Sequence, residues 1–137
     1  MAVPFRFNHI DHVVLRVRDL DASLHFYRDV LGCPLDKVQD RIGLWQVRAG
    51  DSLIDLIPLD GMLGRIGGAG PAKEGRNLDH FALQLDSFDE AAIRAHLAAH
   101  NVTVTDSGPR YGAQGTGPSI YIQDPDGNTV ELKGPPG

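Results

Sequence analysis

The chain has 137 residues, 42% of them hydrophobic and 23% charged, which is the composition of a globular protein with chain enough for one domain and its own core. A formal net charge of −5 without any basic run argues against nucleic acid or an acidic membrane surface as a partner. Cys33 stands alone, which excludes a disulfide framework and a thiolate zinc cluster. With no basic-then-apolar start and no apolar run of membrane-spanning length, a reducing cytoplasm is the expected location.

Residues 1–8 are a short lead-in. HIDHVVLRV, from His9 to Val17, alternates as a strand does: Val13, Leu15 and Val17 share one face, His12, Val14 and Arg16 the other. A helix is predicted from Asp19 to Leu31, with Asp19 or Asp21 as N-cap, Leu20, Leu24, Tyr27 and Leu31 on its apolar stripe, and Gly32 as C-cap. Val38, Ile42 to Ala49, and Asp51 to Pro58 read as strands. In the last of these Ile54 and Leu56 oppose Leu53, Asp55 and Ile57. Residues 59–77 then carry six glycines. This stretch reads as a mobile connector bordering a cavity mouth, because its GRIGGAG lacks the ending and the strand-to-helix setting of a phosphate loop.

Strand character returns with LDHFALQLD, where Phe81, Leu83 and Leu85 oppose His80, Ala82 and Gln84. Ser87 is expected to cap a second helix through Asp89, Ala92, Ile93, Leu97 and Ala98. Val102 to Thr105 is expected as a strand, and Ser107 to Ser119 as a Gly-rich loop carrying Arg110, Tyr111 and Gln114. The chain closes on IYIQDPDGNTVEL, two β-prone runs around Asp124-Pro125-Asp126-Gly127. Pro presets φ, Gly supplies φ > 0 and Asp caps its own backbone, which makes this a tight hairpin.

The chain repeats itself. DHVVLRVRDLDASL, from Asp11, and DHFALQLDSFDEAA, from Asp79, lay down one pattern twice, and each half reads strand, helix, three strands. The fold class is α+β: two tandem βαβββ modules over residues 8–58 and 78–134, joined by the connector 59–77. Each half has a His on its first strand and a carboxylate on its last, His12 with Asp55 and His80 with Glu131, all on the face opposite the apolar, helix-facing side chains. If first and last strands are neighbours, each His lies beside its carboxylate, and two joined modules would converge all four groups on one cavity. Two imidazoles with one or two carboxylates suit a divalent ion such as Fe, Mn, Co, Ni or Zn, with open positions left for substrate. A solitary His in a strand is ordinarily a surface or hydrogen-bonded residue; matched pairs in both halves are not independent occurrences. His9, His25, His96 and His100 fall outside the pattern and are read as lying outside any site.

DHVVLRVRDLDASLHFYRDVLG, DHFAL and YIQDPDGNTVEL together resemble the vicinal oxygen chelate superfamily, which groups glyoxalase I, bleomycin-resistance proteins and extradiol dioxygenases. The resemblance runs nearly end to end. It implies a curved mixed-sheet half-barrel around a cavity, a homodimer, and metal positions on His12, His80 and Glu131. The fourth metal position, Glu in glyoxalase I, falls on Asp55. It further implies a small-molecule substrate whose adjacent oxygens chelate the ion, with lyase or isomerase chemistry of the lactoylglutathione lyase type. Asp55 or Glu131 would move the proton and Tyr121 would orient a substrate oxygen; Arg16, at glyoxalase I's glutathione-binding Arg, would bind substrate, and Arg110 and Tyr111 are further substrate-binding candidates. Departures mark the alternatives. Leu59 replaces glyoxalase I's glutathione-contacting Asn. Tyr121 to Glu131 matches the extradiol dioxygenase motif, but no His stands at Gly112 to Gln114. Val14 replaces the Thr of fosfomycin-modifying enzymes. The retained ligand set speaks against a metal-free, antibiotic-binding protein.

Overall fold

The computed structural model describes residues 3–137 and is built of two four-stranded sheets of matching design. The first module runs β1 (His12–Val17), helix α1 (Leu20–Leu24, continued as a π-helix over His25–Val30), β2 (Leu35–Gln39), β3 (Leu44–Ala49) and β4 (Ser52–Pro58), with strand order β1-β4-β3-β2. The second runs β5 (His80–Gln84), α2 (Glu90–Ala99), β6 (Asp106–Gly112), β7 (Gly115–Gln123) and β8 (Thr129–Lys133), ordered β5-β8-β7-β6. Within each module the first strand lies parallel to the last, and the other pairings are antiparallel. The two predicted βαβββ units are therefore present. Among the described residues no helix is long and apolar enough to cross a membrane.

The registers of the two modules coincide. His12 is opposite Leu53, and Asp55 lies two residues further along β4; His80 is opposite Thr129, and Glu131 lies two residues further along β8. Because strand side chains alternate, that even offset keeps each His and its carboxylate on one face. The opposite faces bury Leu15, Val17, Ile54 and Leu56 in one module and Ile120, Ile122, Val130 and Leu132 in the other, within one continuous core that also takes Phe26, Tyr27 and Leu97.

Local structure departs from expectation at three places. The first helix starts as predicted, with Asp19 Oδ1 accepting from Ala22 N at 3.0 Å and Gly32 at φ 77° beyond its end. Its second half widens into a π-helix, with Leu31 N donating to Phe26 O at 2.9 Å. The extra residue per turn rotates Phe26 and Val30 into the core and leaves Leu31 only partly buried. In the second module Asp89, not Ser87, caps α2. Val102 to Thr105 is not a strand, and the expected loop over Ser107 to Ser119 is instead the β6–β7 hairpin, in which Pro109 is opposite Pro118. Pro109 lies on the edge strand β6, and Pro118 on β7 sits just before the first residue paired with β8, Ser119, so both prolines lie where a missing N–H is tolerated.

The connector is the third departure. It holds a 3₁₀ turn at Gly64–Gly67 and is strapped down rather than left free. The Arg16 guanidinium donates to the carbonyls of Gly64 (3.1 Å), Gly67 (3.4 Å), Ala69 (3.0 Å) and Gly68, and Arg18 Nη2 donates to Pro71 O. A Cβ on Gly64 would strike the Pro58 carbonyl, and one on Gly67 would lie 2.7 Å from the Arg16 guanidinium. These glycines serve close approach, not slack.

The closing turn forms around Asp124. Its Oδ1 accepts from Asp126 N (2.9 Å) and Asn128 N (2.8 Å), and its Oδ2 from Asn128 Nδ2 (2.8 Å) and the Tyr27 hydroxyl (2.6 Å). The last bond reaches from the first module's helix to the second module's hairpin, and both partners are buried. Tyr27→Phe should therefore cost about 1.5–3 kcal/mol in chemical denaturation, the range for a buried hydrogen bond to a charged group. A change under about 0.5 kcal/mol would mean that the bond does not couple the modules.

Candidate metal and substrate site

In the second module Glu131 is 5% exposed, central in its sheet between β5 and β7. Its Oε2 accepts from Ser119 Oγ at 2.6 Å, and its Oε1 lies 3.4 Å from His80 Nε2. The other imidazole nitrogen, His80 Nδ1, is 2.7 Å from Asp79 Oδ2. Tyr121, directly opposite Glu131 on β7, sets its ring edge-to-face against His80 with centroids 5.8 Å apart. Burial, and then the Glu131 carboxylate, push the Tyr121 phenol above its usual range, so it stays protonated as a hydrogen-bond donor at neutral pH. The Arg110 guanidinium lies over the Tyr121 ring at 5.4 Å and is held by Asp106 (3.0 Å) and the Pro109 carbonyl (2.9 Å).

The first module repeats this in outline. Asp55 is 4% exposed, and its Oδ1 accepts from Gln46 Nε2 at 3.1 Å across the β3–β4 pair. His12 Nδ1 is 2.8 Å from Asp11 Oδ2. That bond, followed by the negative charge of Asp55, raises His12 above the ordinary imidazole value. Asp79 is correspondingly held below the usual carboxylate range, chiefly by its bond to the His80 ring. His12 pairs with Asp11, and the shorter Asp55 side chain makes no ion pair with it among the described residues.

The chain thus brings together His12 with Asp55, and His80 with Glu131 and Tyr121, but not the four ligand candidates at one point. Among the described residues no three His, Cys, Asp or Glu side chains converge to hold a metal ion. Of the substrate-binding candidates, Arg16 is committed to the connector carbonyls, Arg110 stacks on Tyr121, and Tyr111 stands 85% exposed on the edge strand. A cleft of about 690 Å³ lies at the seam between the modules and holds none of the four groups; Val30, Cys33, Ala49, Leu83, Ile93 and Leu97 are among its walls. Asp11, Asp79, Ser119 and Gln46 were not singled out by sequence reasoning, although the aspartates precede both histidines in the repeat.

In the second module the residues present fit one half of a divalent-ion site. Asp79 can only accept and lies within hydrogen-bond distance of His80 Nδ1, so Nδ1 carries a proton and Nε2 is the nitrogen left to face Glu131 Oε1. At 3.4 Å apart, His80 Nε2 and Glu131 Oε1 are spaced so that both could lie about 2.1 Å from a single ion.

The chain belongs to the Glyoxalase/Bleomycin resistance protein/Dioxygenase superfamily, whose family model matches residues 9–132. Its relatives include a lactoylglutathione lyase of Neisseria meningitidis serogroup B, 33% identical over 125 residues that cover 88% of this chain and 86% of that protein. A catechol-2,3-dioxygenase of Bacillus subtilis is 29% identical over 125 residues, covering 90% of this chain; the chain spans only 40% of that protein's length. Among solved structures, an integron cassette protein of V. pseudocholerae superposes with a TM-score of 0.75 at 25% identity, covering 98% of this chain and 100% of that one. The two-module α+β fold is thus that of glyoxalase-type proteins.

Metal affinity should depend on pH with a definite sign. The proton that His12 retains above its ordinary value must leave before the ring can bind a metal, so affinity should rise as pH climbs through and beyond about 6.5. Calorimetric titration with Ni²⁺ or Co²⁺ between about pH 5.5 and 8.5 checks this, and flat affinity over that range would remove His12 from the ligand set.

Proposed function

We propose that this protein is a metal-dependent enzyme of the glyoxalase type, acting in the cytoplasm on a small substrate that presents two adjacent oxygens. The observation that carries this reading is the duplicated pair: a His and a nearly buried carboxylate at the same register offset in both modules, each His tethered through Nδ1 to the preceding Asp. Neither pair suffices to hold an ion alone, which supports a homodimer in which a second copy brings its other module to face the first. His12 and Asp55 from one copy and His80 and Glu131 from the other would then hold the metal, with Asp55 the weaker contributor because of its shorter reach.

A divalent ion bound there would supply a Lewis acid for the two substrate oxygens. The chain's own groups do the rest. Glu131, aimed by Ser119, is the base that takes a proton from one substrate carbon and returns it to the neighbour, which is the isomerisation that a lyase of the lactoylglutathione type performs. Tyr121, kept protonated, donates to a substrate oxygen, and Arg110 behind its ring favours a negatively charged substrate. Arg16 is better placed as the strap of the connector than as a substrate contact. A ring-cleaving dioxygenase is the second reading, favoured by Tyr121, the first residue of a dioxygenase-like motif, beside His80. It lacks the His near Gln114 that such chemistry uses as an acid or base.

At a hundredfold excess over its dissociation constant, Ni²⁺, Co²⁺, Mn²⁺ or Zn²⁺ should stabilise the protein by about 2.7 kcal/mol, reversed by chelator. Glu131→Gln should lose that response while remaining folded, and Asp55→Asn should keep much of it. Thioester formation from glutathione and methylglyoxal in the metal-loaded protein tests the lyase reading, and oxygen uptake with a catechol tests its rival. An unchanged metal response in Glu131→Gln would refute the site. Sedimentation should show a dimer that loses metal on dilution to monomer; a monomer with full affinity would refute the shared site.

A further inference from the structure

We infer that Asp11 and Asp79 are positioning residues that fix the tautomer and ring orientation of His12 and His80, and so decide which imidazole nitrogen each module presents. The inference rests on the metal reading for its purpose, but its geometry does not depend on a metal. Two aspartates in equivalent places make the same bond: Asp11 Oδ2 to His12 Nδ1 at 2.8 Å, and Asp79 Oδ2 to His80 Nδ1 at 2.7 Å. Both aspartates stand immediately before their strands, outside the pleat, where the backbone lets adjacent side chains meet. The same contact joins His9 Nδ1 to Asn8 Oδ1 at 2.8 Å, so what sets these two apart is their equivalent place, directly before β1 and β5 in the repeat.

Its chemical consequence follows from the donor inventory. An ionised carboxylate has only acceptors, and for His80 the Asp79 oxygen at 2.7 Å is nearer than Glu131 Oε1 at 3.4 Å, so in the neutral imidazole the proton sits on Nδ1 and Nε2 keeps its lone pair. Without the tether, a solvated imidazole places its proton on either nitrogen and can rotate about its side-chain bonds. In a metal site the tether would raise the basicity of the ligating nitrogen and avoid the entropy cost of orienting the ring on binding. Both aspartates are largely exposed, so the ion pairs themselves add little to fold stability, and their removal should leave the fold standing.

The test uses the full-length protein with Asp79→Ala, Asp11→Ala and the conservative Asp79→Asn, whose side-chain oxygen can still accept from Nδ1. ¹⁵N spectra of the histidine rings in metal-free protein at about pH 8.5, above the ordinary imidazole range, report the tautomer directly. Wild type should show His80 with the proton on Nδ1, Asp79→Ala a shift toward the Nε2 proton, and Asp79→Asn the wild-type pattern. Asp11→Ala should do the same to His12. Ni²⁺ titration should then show a 10–100-fold loss of affinity in either Ala variant, with most of it recovered in Asp79→Asn and melting temperatures unchanged without metal. A His80 ring that keeps its Nδ1 proton in Asp79→Ala overturns the inference. So does Ni²⁺ affinity within about twofold of wild type despite a changed tautomer. Wild type that binds no Ni²⁺ at all refutes the metal reading instead, and the ring spectra then decide the tether alone.

Discussion

Everything proposed for this protein depends on one constraint, the parallel pairing of the first and last strands of each module in a shared register. A parallel pair cannot be closed by a tight turn, so the helix and two intervening strands are the crossover that the pairing requires. That crossover covers one face of the sheet and commits Leu15, Val17, Ile54 and Leu56 in one module, and Ile120, Ile122, Val130 and Leu132 in the other, to the core. The uncovered face is where β1 and β5 place their histidines and β4 and β8 their carboxylates. A slip of one residue in either pairing would turn Glu131 or Asp55 into the core and abolish the site. The acidic groups are thus held by the hydrophobic pattern behind them.

The two modules are joined by polar contacts that also serve the site. Asp124 satisfies a tight turn with one oxygen and ties Tyr27 and Asn128 with the other, which fixes the end of β7 and the start of β8 relative to the first helix. Glu131 follows three residues after Asn128, so its backbone position inherits that rigidity. Arg16 shares the polar face of β1 with His12, yet spends its donors on connector carbonyls, laying residues 64–69 close to that face. Gly67 and Gly64 of the connector are there because the guanidinium and the Pro58 carbonyl, respectively, leave no room for a side chain.

The repeat, both helices' locations, the closing turn and the His–carboxylate pairs were legible in the sequence because each rests on local chemistry: alternation, an N-capping Asp, a Pro-Asp-Gly turn. What was not legible rests on long-range pairing. Asp106–Gly112 has the composition of a loop, with two glycines and a proline, and becomes a strand only because β7 offers it a partner. The π-helical widening over His25–Val30 moved Val30 inward where a regular period favoured Leu31. Asp11 and Asp79 stood next to the histidines in plain view, but an Asp-His dipeptide says nothing of side-chain geometry until the backbone is fixed. That the two pairs, among the described residues, do not converge within one chain also lay outside the reach of spacing, because spacing orders residues along strands and does not say which sheets face each other.

The central claim is that each module carries half of a metal site and that two copies complete it. Mixing two metal-binding mutants tests this most directly. His12→Ala/Asp55→Asn keeps only the second module's pair, and His80→Ala/Glu131→Gln keeps only the first's, so neither should bind Ni²⁺ alone. After mixing and exchange of subunits, a site shared between copies predicts that about a quarter of the wild-type Ni²⁺ capacity returns, since half the dimers are mixed and each mixed dimer has one intact site. Mixed dimers that form but recover no Ni²⁺ would contradict the account, as would strong Ni²⁺ binding by either mutant alone.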